Sequence, residues 1–395
     1  MNFNNLADHY KKELFSNVVP FWIEKSQDNQ FGGYFTCLMR DGSVYDTDKF
    51  IWLQGRQVWF FSYLYNKVEK RQEWLDCAIQ GGKFLEKYGH DGQFNWYFSL
   101  NREGKPLIAP YNIFSYTFAA MAFGQLSIAT GIQKYADIAK TTYEMILNRA
   151  ANPKDKWNKT VAGTRDLKNF AFPMIMCNLS LEMESLLNKA VLDETIETCL
   201  HEVLDIFWRP EINLAVENVT VDGKLLDSFE GRLLNPGHVI EAMWFIMDLG
   251  VRLKRQNIIN KAVEISLKMA DYGWDKEYGG IFYFLDRSGY PPQQLEWDQK
   301  LWWVHIETLI CMLKGYQLTG NKECLKWFEK VHDYAWSHFK DPDYPEWFGY
   351  LNRRGEVLLP VKGGKWKGCF HVPRGLYQCW QSLHTIAHAK EYRHK

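Results

Sequence analysis

The feature that most restricts how this chain can fold is an internal repeat of about 65 residues. Each copy begins with an aromatic, strand-like run and a turn of the Asp-Gly or Arg-x-Gly type, which favours a β-hairpin. Successive turn glycines lie 62, 119, 66 and 66 residues apart, at Gly42, Gly104, Gly223, Gly289 and Gly355. The separation of 119 residues predicts a degenerate copy near residues 157–187, and therefore six copies in all.

Two helices are predicted after each turn. The first is an apolar segment with helical spacing, as in residues 239–253 and 306–318. The second is amphipathic, as in residues 257–272 and 322–339. Six such pairs predict an all-α fold, an (α/α)6 barrel (a toroid) with short β-hairpins over the active-site end, in one catalytic domain spanning residues 1–395. An open superhelical solenoid has the same period and remains the structural alternative.

Charge and cysteine usage restrict the class of protein. The chain carries 47 basic and 47 acidic residues, and a zero net charge argues against nucleic acid or an anionic membrane as the main partner. The sequence has no run of 18 apolar residues, and its first residues lack the apolar segment of a signal peptide. The eight cysteines form no CxxC pair and most lie in apolar runs, which indicates reduced, buried thiols. We therefore expect a cytoplasmic protein.

Four residues occupy similar places in the repeat and are candidates for one shared site. Arg56, His238, His305 and His371 lie 14, 15, 16 and 16 residues after their turn glycines, near the entry to the predicted inner helices. In a closed barrel these entries converge on the axis, and functional groups concentrate where loops meet a rigid scaffold. A lone histidine is usually structural or on the surface, but three at similar positions indicate a site.

The sequence around these histidines adds charged and aromatic candidates. A carboxylate follows His238 by three residues and a guanidinium follows His371 by three, so each shares a helical face with its histidine. Glu307 lies two residues after His305, and a regular helix cannot direct both side chains to one point. The tryptophans before His305 suit either the core or stacking on a sugar ring. These further candidates are Glu241, Arg374, Trp302, Trp303 and Glu307.

Histidine titrates near neutral pH and suits both removal and return of a proton. Two imidazoles on opposite faces of one carbon would invert its configuration, with Arg56 or Arg374 stabilising the developing oxyanion. No metal is expected, because the candidates lack a compact ligand motif. A binding protein for a sugar, a nucleotide or another protein, without turnover, is one alternative. A glycosidase, which needs two carboxylates, is another, and its candidates are Glu241, Glu307, Asp298 and Glu230.

The segment Lys-Gly-Gly-Lys-Trp-Lys-Gly at 362–368 has the composition of a phosphate-binding loop. It lacks the pattern GxxxxGK followed by Ser or Thr that such loops need. We therefore interpret it as an exposed basic loop.

Several segments resemble the N-acylglucosamine 2-epimerase family. They are Trp-Leu-Gln-Gly-Arg (52–56), Asn-Pro-Gly-His through Glu (235–241), and residues 275–280, 300–307 and 362–374, of which the last two are the most specific. They span nearly the whole chain in the expected order. The resemblance implies an (α/α)6 barrel, usually a homodimer, that interconverts N-acetylglucosamine and N-acetylmannosamine by proton transfer at C2 through an enediolate. Aldose–ketose isomerases and cellobiose-type epimerases use the same scaffold and stay as alternatives.

The resemblance also implies roles for individual residues. His238 and His371 would be the acid/base residues, with Arg56 and Glu307 as partners. The cellobiose 2-epimerase branch commonly has Gln where His305 stands, so His305 favours the N-acetylhexosamine branch and is expected to position the substrate. No cofactor is required, although several members are activated by ATP without consuming it. Further residues implied to lie near the sugar are Asn178, Glu241, Trp302 and Trp303.

Overall fold

The computed structural model describes residues 2–151, 161, 164 and 166–393. Two π-helical turns, Leu14–Val18 and Glu202–Phe207, follow the first and the eighth helix. The start of the predicted degenerate copy, including Trp157, lies outside the described residues. In chain order the α-helices are α1 (Phe3–Glu13), α2 (Val19–Ser26), α3 (Ile51–Lys67), α4 (Gln72–Tyr88), α5 (Ile113–Thr130), α6 (Gln133–Ala151), α7 (Ala171–Glu182), α8 (Lys189–His201), α9 (Phe229–Arg232), α10 (Pro236–Leu253), α11 (Gln256–Gly273), α12 (Trp302–Thr319), α13 (Lys322–His338) and α14 (His371–Arg393).

The strands are short and pair antiparallel in six small sheets among the described residues, ordered β1-β2, β3-β4-β5, β6-β9, β7-β8, β10-β11 and β12-β13-β14. The strands are β1 (Cys37–Leu38), β2 (Val44–Asp46), β3 (Lys49–Phe50), β4 (Ser99–Leu100), β5 (Pro106–Ile108), β6 (Leu167–Asn169), β7 (Trp208–Arg209), β8 (Leu214–Ala215), β9 (Asn218–Thr220), β10 (Leu233–Leu234), β11 (Leu285–Asp286), β12 (Lys300–Leu301), β13 (Tyr350–Leu351) and β14 (Val357–Leu359).

All five predicted turn glycines have positive φ, between +78° and +94°, which explains why glycine is needed at these turns. Gly42, Gly104 and Gly355 join the strands of hairpins β1–β2, β4–β5 and β13–β14. The other two predicted hairpins are wrong. After Gly223 and Gly289 no paired return strand is described, because β9 pairs with β6 and β11 pairs with β10.

The helices pair around one axis. The inner helices α3, α5, α7, α10, α12 and α14 contact one another in that order, and each packs against one outer helix. Tyr63 of α3 meets Tyr377 of α14 with ring centroids 5.3 Å apart, which closes the ring. The chain is therefore an (α/α)6 barrel, and the open solenoid is excluded. The outer partner of α14 is α1 together with the π-helical turn Leu14–Val18, so the sixth pair joins the first described helix to the last.

The apolar pattern explains which helices lie inside. Helix α5 has the length and hydropathy of a membrane span, yet 72% of it is buried within the barrel between α3, α6 and α7. The outer helix α13, by contrast, carries charged residues on its exposed face. All eight cysteines are buried and free, as the apolar runs around them indicated.

A buried ionic clamp recurs three times and holds the hairpins over one end of the barrel. In the first copy the Asp28 carboxylate accepts hydrogen bonds from Lys49 (2.9 Å), which precedes α3, and from Arg102 (3.0 Å) in the hairpin of the next repeat. Lys49 and Asp28 are fully buried, so each charge needs the other. Each clamp therefore ties one repeat to the next, and the third ties the sixth repeat to the first. The other two are Asp275–Lys300–Arg353 and Asp341–Lys362–Arg40.

Candidate active site

His371 opens α14 at the hairpin end of the barrel and is buried there. Its Nδ1 lies 2.7 Å from Oε1 of Glu307, a fully buried residue of α12. The other Glu307 oxygen accepts a hydrogen bond from Trp244 Nε1 at 2.9 Å. A carboxylate at Nδ1 holds the proton on that nitrogen, so Nε2 is left as the basic atom.

His238 has the same arrangement on the first turn of α10. The N-cap residue Asn235 accepts a hydrogen bond from the His238 backbone N–H with its side chain (3.1 Å), and Pro236 takes the first helical position. His238 Nδ1 lies 3.0 Å from Oε1 of Glu217. Glu217 is buried between β8 and β9, and sequence reasoning missed it. The available signal was a carboxylate directly after the apolar run 214–216, since a buried charge requires a partner.

Arg374 connects the two histidine-bearing helices. Its Nη2 lies 2.5 Å from Oε1 of Glu241 on α10 and 2.7 Å from Oε1 of Glu307 on α12. All three residues are buried. Glu241 and Arg374 thus lie where the helical spacing predicted, one turn after His238 and His371.

Three of these side chains would also suit a metal ion. Ligand atoms of Glu241, Glu307 and His371 lie within 4.8 Å of one another. However, the Arg374 guanidinium already contacts one oxygen of each carboxylate, so a metal ion would have to displace a buried cation. The donor set fits a guanidinium better than a metal, and the expected absence of a metal stays a prediction.

The surroundings shift the pKa values of the two imidazoles in opposite directions. Burial lowers the pKa of His238, but the Glu217 carboxylate outweighs it and the net shift is upward from 6.5. Burial and the Arg56 cation, with Arg374 adding to them, lower the pKa of His371 well below 6.5 despite Glu241. At neutral pH this favours a protonated His238 and a neutral His371. One acid and one base in a single site is the pattern that general acid–base catalysis requires.

Arg56 lies on α3 with its guanidinium carbon 4.5, 4.1 and 4.6 Å from the ring centroids of Trp52, Phe118 and Phe370. It has no hydrogen-bond or ion-pair partner among the residues that the structure describes, and its Nε is buried. Burial lowers the pKa of Arg56 to about 9. Glu241 and Glu307 act on this cation only at longer range, and a caged cation that makes no direct ion pair suits an oxyanion that forms only during a reaction.

Trp303 lies between the two histidines, with ring centroids 5.4 Å from His238 and 5.8 Å from His371. Trp302 is also buried beside His371, at 6.2 Å. Asn178 is buried on the inner helix α7. The buried polar atoms without a partner among the described residues include Asn178 Oδ1, Trp302 Nε1, Trp52 Nε1 and Glu217 Oε2, and such atoms would accommodate sugar hydroxyls.

His305 does not belong to this site, which corrects its predicted role in positioning substrate. It is fully buried on the other face of α12, stacked on Tyr334 with ring centroids 5.1 Å apart. Its Nδ1 donates to Leu301 O (2.7 Å) and its Nε2 accepts from Ile281 N–H (3.0 Å). Both ring nitrogens are used by the backbone, so none is left for a ligand, and His305 cannot select a substrate branch by contact.

Lys49 and Lys300, the lysines of two ionic clamps, explain why His305 was wrongly assigned to the site. Arg56 lies seven residues after Lys49 and Glu307 lies seven residues after Lys300, so these two residues are equivalent. His305 is equivalent to Gln54, which likewise hydrogen-bonds the backbone of Tyr34. Counting from the turn glycines misplaced His305 because the loops differ in length. Each residue of offset rotates a helical side chain by about 100°.

The carboxylate pair of a glycosidase is not assembled. Glu241 and Glu307 are both engaged by Arg374, which leaves neither free to protonate a glycosidic oxygen. Asp298 lies in the half-buried loop before β12, and Glu230 is exposed in α9.

Comparisons with known proteins agree with this geometry. The family model for N-acylglucosamine 2-epimerase (GlcNAc 2-epimerase) matches residues 33–373. The chain is 40% identical to the N-acylglucosamine 2-epimerase of Mus musculus over 383 residues, covering 93% of this chain and 90% of that protein. It is 23% identical to the cellobiose 2-epimerase of Bacteroides fragilis, covering 93% and 97%. The structure of cellobiose 2-epimerase from Bacillus thermoamylovorans superposes with a TM-score of 0.83 at 19% identity, covering 96% and 99%. The chain therefore belongs to the N-acylglucosamine 2-epimerase family.

Proposed function

We propose that this protein is a sugar 2-epimerase that interconverts N-acetyl-D-glucosamine and N-acetyl-D-mannosamine. The observation that carries the proposal is the pair of histidines, His238 and His371, each held at Nδ1 by a buried carboxylate on either side of Trp303. The N-acetylhexosamine, rather than a disaccharide, is favoured by the 40% identity to the mouse enzyme against 23% to the cellobiose enzyme.

The reaction acts on the open-chain sugar. Neutral His371 removes the C2 proton with Nε2, and the electron pair moves onto the carbonyl oxygen at C1 to give an enediolate-type anion. Arg56 stabilises the negative oxygen. Protonated His238 then delivers its proton to the opposite face of C2 as the carbonyl re-forms. His371 ends protonated and His238 neutral, so the same pair catalyses the reverse direction.

A proton NMR experiment in D₂O tests this function. N-acetyl-D-glucosamine incubated with the enzyme should yield the manno epimer with deuterium at C2. Product that keeps full protium at C2 would eliminate the two-base scheme. A ketose product would indicate an aldose–ketose isomerase instead, and an unchanged sugar would indicate a binding protein. His238→Ala and His371→Ala should each abolish turnover with the fold retained, and wild-type rates in either would remove that residue from its role.

The family resemblance leads us to propose a homodimer with no required cofactor, and ATP as an activator that is not consumed. The cytoplasmic location expected from the sequence is a further proposal. Repeating the NMR assay with and without ATP, and following ADP release, tests the role of ATP. Sedimentation analysis tests the dimer.

A further inference from the structure

Glu346 occupies a backbone position that is glycine in the turns of the other two clamps. Gly33, Gly280 and Glu346 each end the turn that begins with a clamp aspartate, and their φ angles are +69°, +73° and +65°. L side chains rarely adopt this conformation, and a bulky one does so only where the surroundings hold it. The clamp of the sixth repeat thus departs from the others at one residue.

The Glu346 side chain is fully engaged in the interior. It is 1% exposed, and its carboxylate accepts hydrogen bonds from Trp22 Nε1 (2.7 Å), Trp347 N–H (2.9 Å) and Lys367 Nζ (2.8 Å). Lys367 is also fully buried, and burial lowers its pKa against the pull of Glu346. A buried lysine needs such a partner. The segment 362–368 is therefore not the exposed basic loop that its composition indicated, since Lys362 and Lys367 are both inside.

Lys367 fixes the chain that leads into the catalytic helix. Its Nζ also donates to Lys362 O (2.7 Å), and its carbonyl accepts from Gly364 N–H (2.8 Å), so the loop is closed on itself. Phe370 follows three residues later, with its ring 4.3 Å from the guanidinium carbon of Arg374. His371 comes next and begins α14.

The residues of two other repeats that are equivalent to Lys367 do not form an ion pair with any described residue. Gln54 and His305 lie five residues after their clamp lysines, as Lys367 does after Lys362. Both bond directly to backbone across the turn, whereas Lys367 reaches the turn through Glu346. Of these three repeats, only the sixth has a proposed acid/base histidine at the start of its inner helix, and it has an ion pair where the other two have an uncharged contact.

We propose that Glu346 is a positioning residue for His371, acting through Lys367, an inference that rests on the proposed role of His371 in proton transfer. The ion pair holds residues 367–371 so that the imidazole stays against Glu307. A displacement of about 1 Å in a catalytic group costs on the order of 100-fold in rate.

The test is Glu346→Gly alone and combined with Lys367→Met. Glycine restores the residue of the other copies and accepts φ near +65° without cost, so backbone strain cannot explain a loss. The double variant also removes the lysine that the single variant leaves unpaired in the interior. We expect the double variant to stay folded with a lowered Tm, because Trp22 Nε1 loses its acceptor, and the kcat of the folded protein to fall about 10- to 100-fold with KM little changed.

A pH profile separates positioning from simple destabilisation. A loosened loop admits water to His371, which raises its pKa and moves the acid limb of kcat to higher pH. The groups that face His371 and stay in place are Glu307, Arg374, Arg56, Glu241 and His238. Glu13→Gln is the matched control, because Glu13 is a buried carboxylate that accepts from Trp347 Nε1 (3.0 Å) without contacting Lys367. It should cost stability and leave kcat and the profile unchanged.

Wild-type kcat and pH profile in the double variant would overturn the proposal, as would a loss of rate that only follows the folded fraction. If Glu346→Gly does not fold, the double variant and Glu346→Gln decide by the same readouts. Failure of the proposed function is distinguishable, because the wild-type enzyme would then produce no epimer at all.

Discussion

Oε1 of Glu307 lies 2.7 Å from Nδ1 of His371, although 64 residues of chain separate them. The contact crosses from α12 to α14, which are neighbouring inner helices of the barrel. It assigns the protonated nitrogen of the imidazole and leaves Nε2 to act as a base, as a carboxylate does in other histidine-based sites. The same oxygen accepts from Arg374, so orientation and charge are set together.

Glu307→Gln should lower kcat by roughly 10²- to 10⁴-fold with a much smaller effect on KM. The amide keeps the shape of the side chain but no longer holds the His371 tautomer by charge. Initial rates by NMR or a coupled assay measure the loss. Glu323→Gln on the surface of α13 is the control, because its ion pair with Lys326 is exposed. Equal rates in the two variants would contradict the role of Glu307.

The opposite pKa shifts of the two histidines predict a broad bell-shaped pH profile for kcat/KM. The acid limb reports His371, which must be neutral, and its lowered pKa places that limb well below pH 6.5. The alkaline limb reports His238, which must be protonated, and its raised pKa places that limb above 6.5.

Glu217→Gln removes the carboxylate that raises the pKa of His238. Because only Glu241 then opposes the effect of burial on the His238 pKa, the alkaline limb should move to lower pH and the bell should narrow from that side only. Rates measured between pH 5 and 9 test this. A shift of the acid limb alone would reverse the assignment of acid and base.

His305→Gln should leave kcat and KM near wild type and change the acid stability. Burial lowers the pKa of His305 from 6.5 to about 3 in the folded protein. Below pH 6.5 the unfolded chain therefore binds a proton that the folded chain does not, and the free energy of unfolding falls as the pH drops toward 3. At pH 5 this term is about 2 kcal/mol, at 1.36 kcal/mol per pKa unit, and glutamine removes it. Urea unfolding at pH 5 and pH 7.5 measures the difference.

His305→Leu distinguishes the contribution of the Ile281 hydrogen bond to stability from that of His305 protonation. It also removes the proton, but it leaves the buried Ile281 N–H without an acceptor, which costs about 1–3 kcal/mol at both pH values. A large rise in KM in either variant would return His305 to the substrate site.

The sequence could predict the barrel because its signals are periodic. Apolar inner helices, amphipathic outer helices and positive-φ glycines recur at a spacing that a toroid needs, and the helix predicted over 322–339 ends within one residue of α13. The sequence predicted less well which face of a helix each side chain occupies. The face of α12 that carries His305 could be assigned only from its offset from Lys300, and that lysine became a marker only when its contact with Asp275 was known.

Partners from distant loops could not be predicted at all. Glu217 lies 21 residues before His238 in a short strand region, and no helical spacing relates the two. Likewise, the composition of 362–368 gave no sign that Lys367 pairs with Glu346 in the interior. Such contacts follow from how neighbouring repeats pack.

Arg56→Met should lower the catalytic rate without lowering the stability of the fold. The guanidinium is buried among three aromatic rings with no ion-pair partner among the described residues, and burial lowers its pKa to about 9. A buried charge that makes no direct ion pair is costly, and an unbranched apolar side chain fits between aromatic rings. The free energy of unfolding should therefore stay equal or rise, while kcat falls by roughly 10²- to 10³-fold because the oxyanion loses its cation. Arg56→Lys keeps the charge and should retain more activity than the methionine variant. Chemical denaturation and kcat measured on the same samples provide the test, and a loss of more than about 2 kcal/mol in the methionine variant would assign Arg56 to the fold instead.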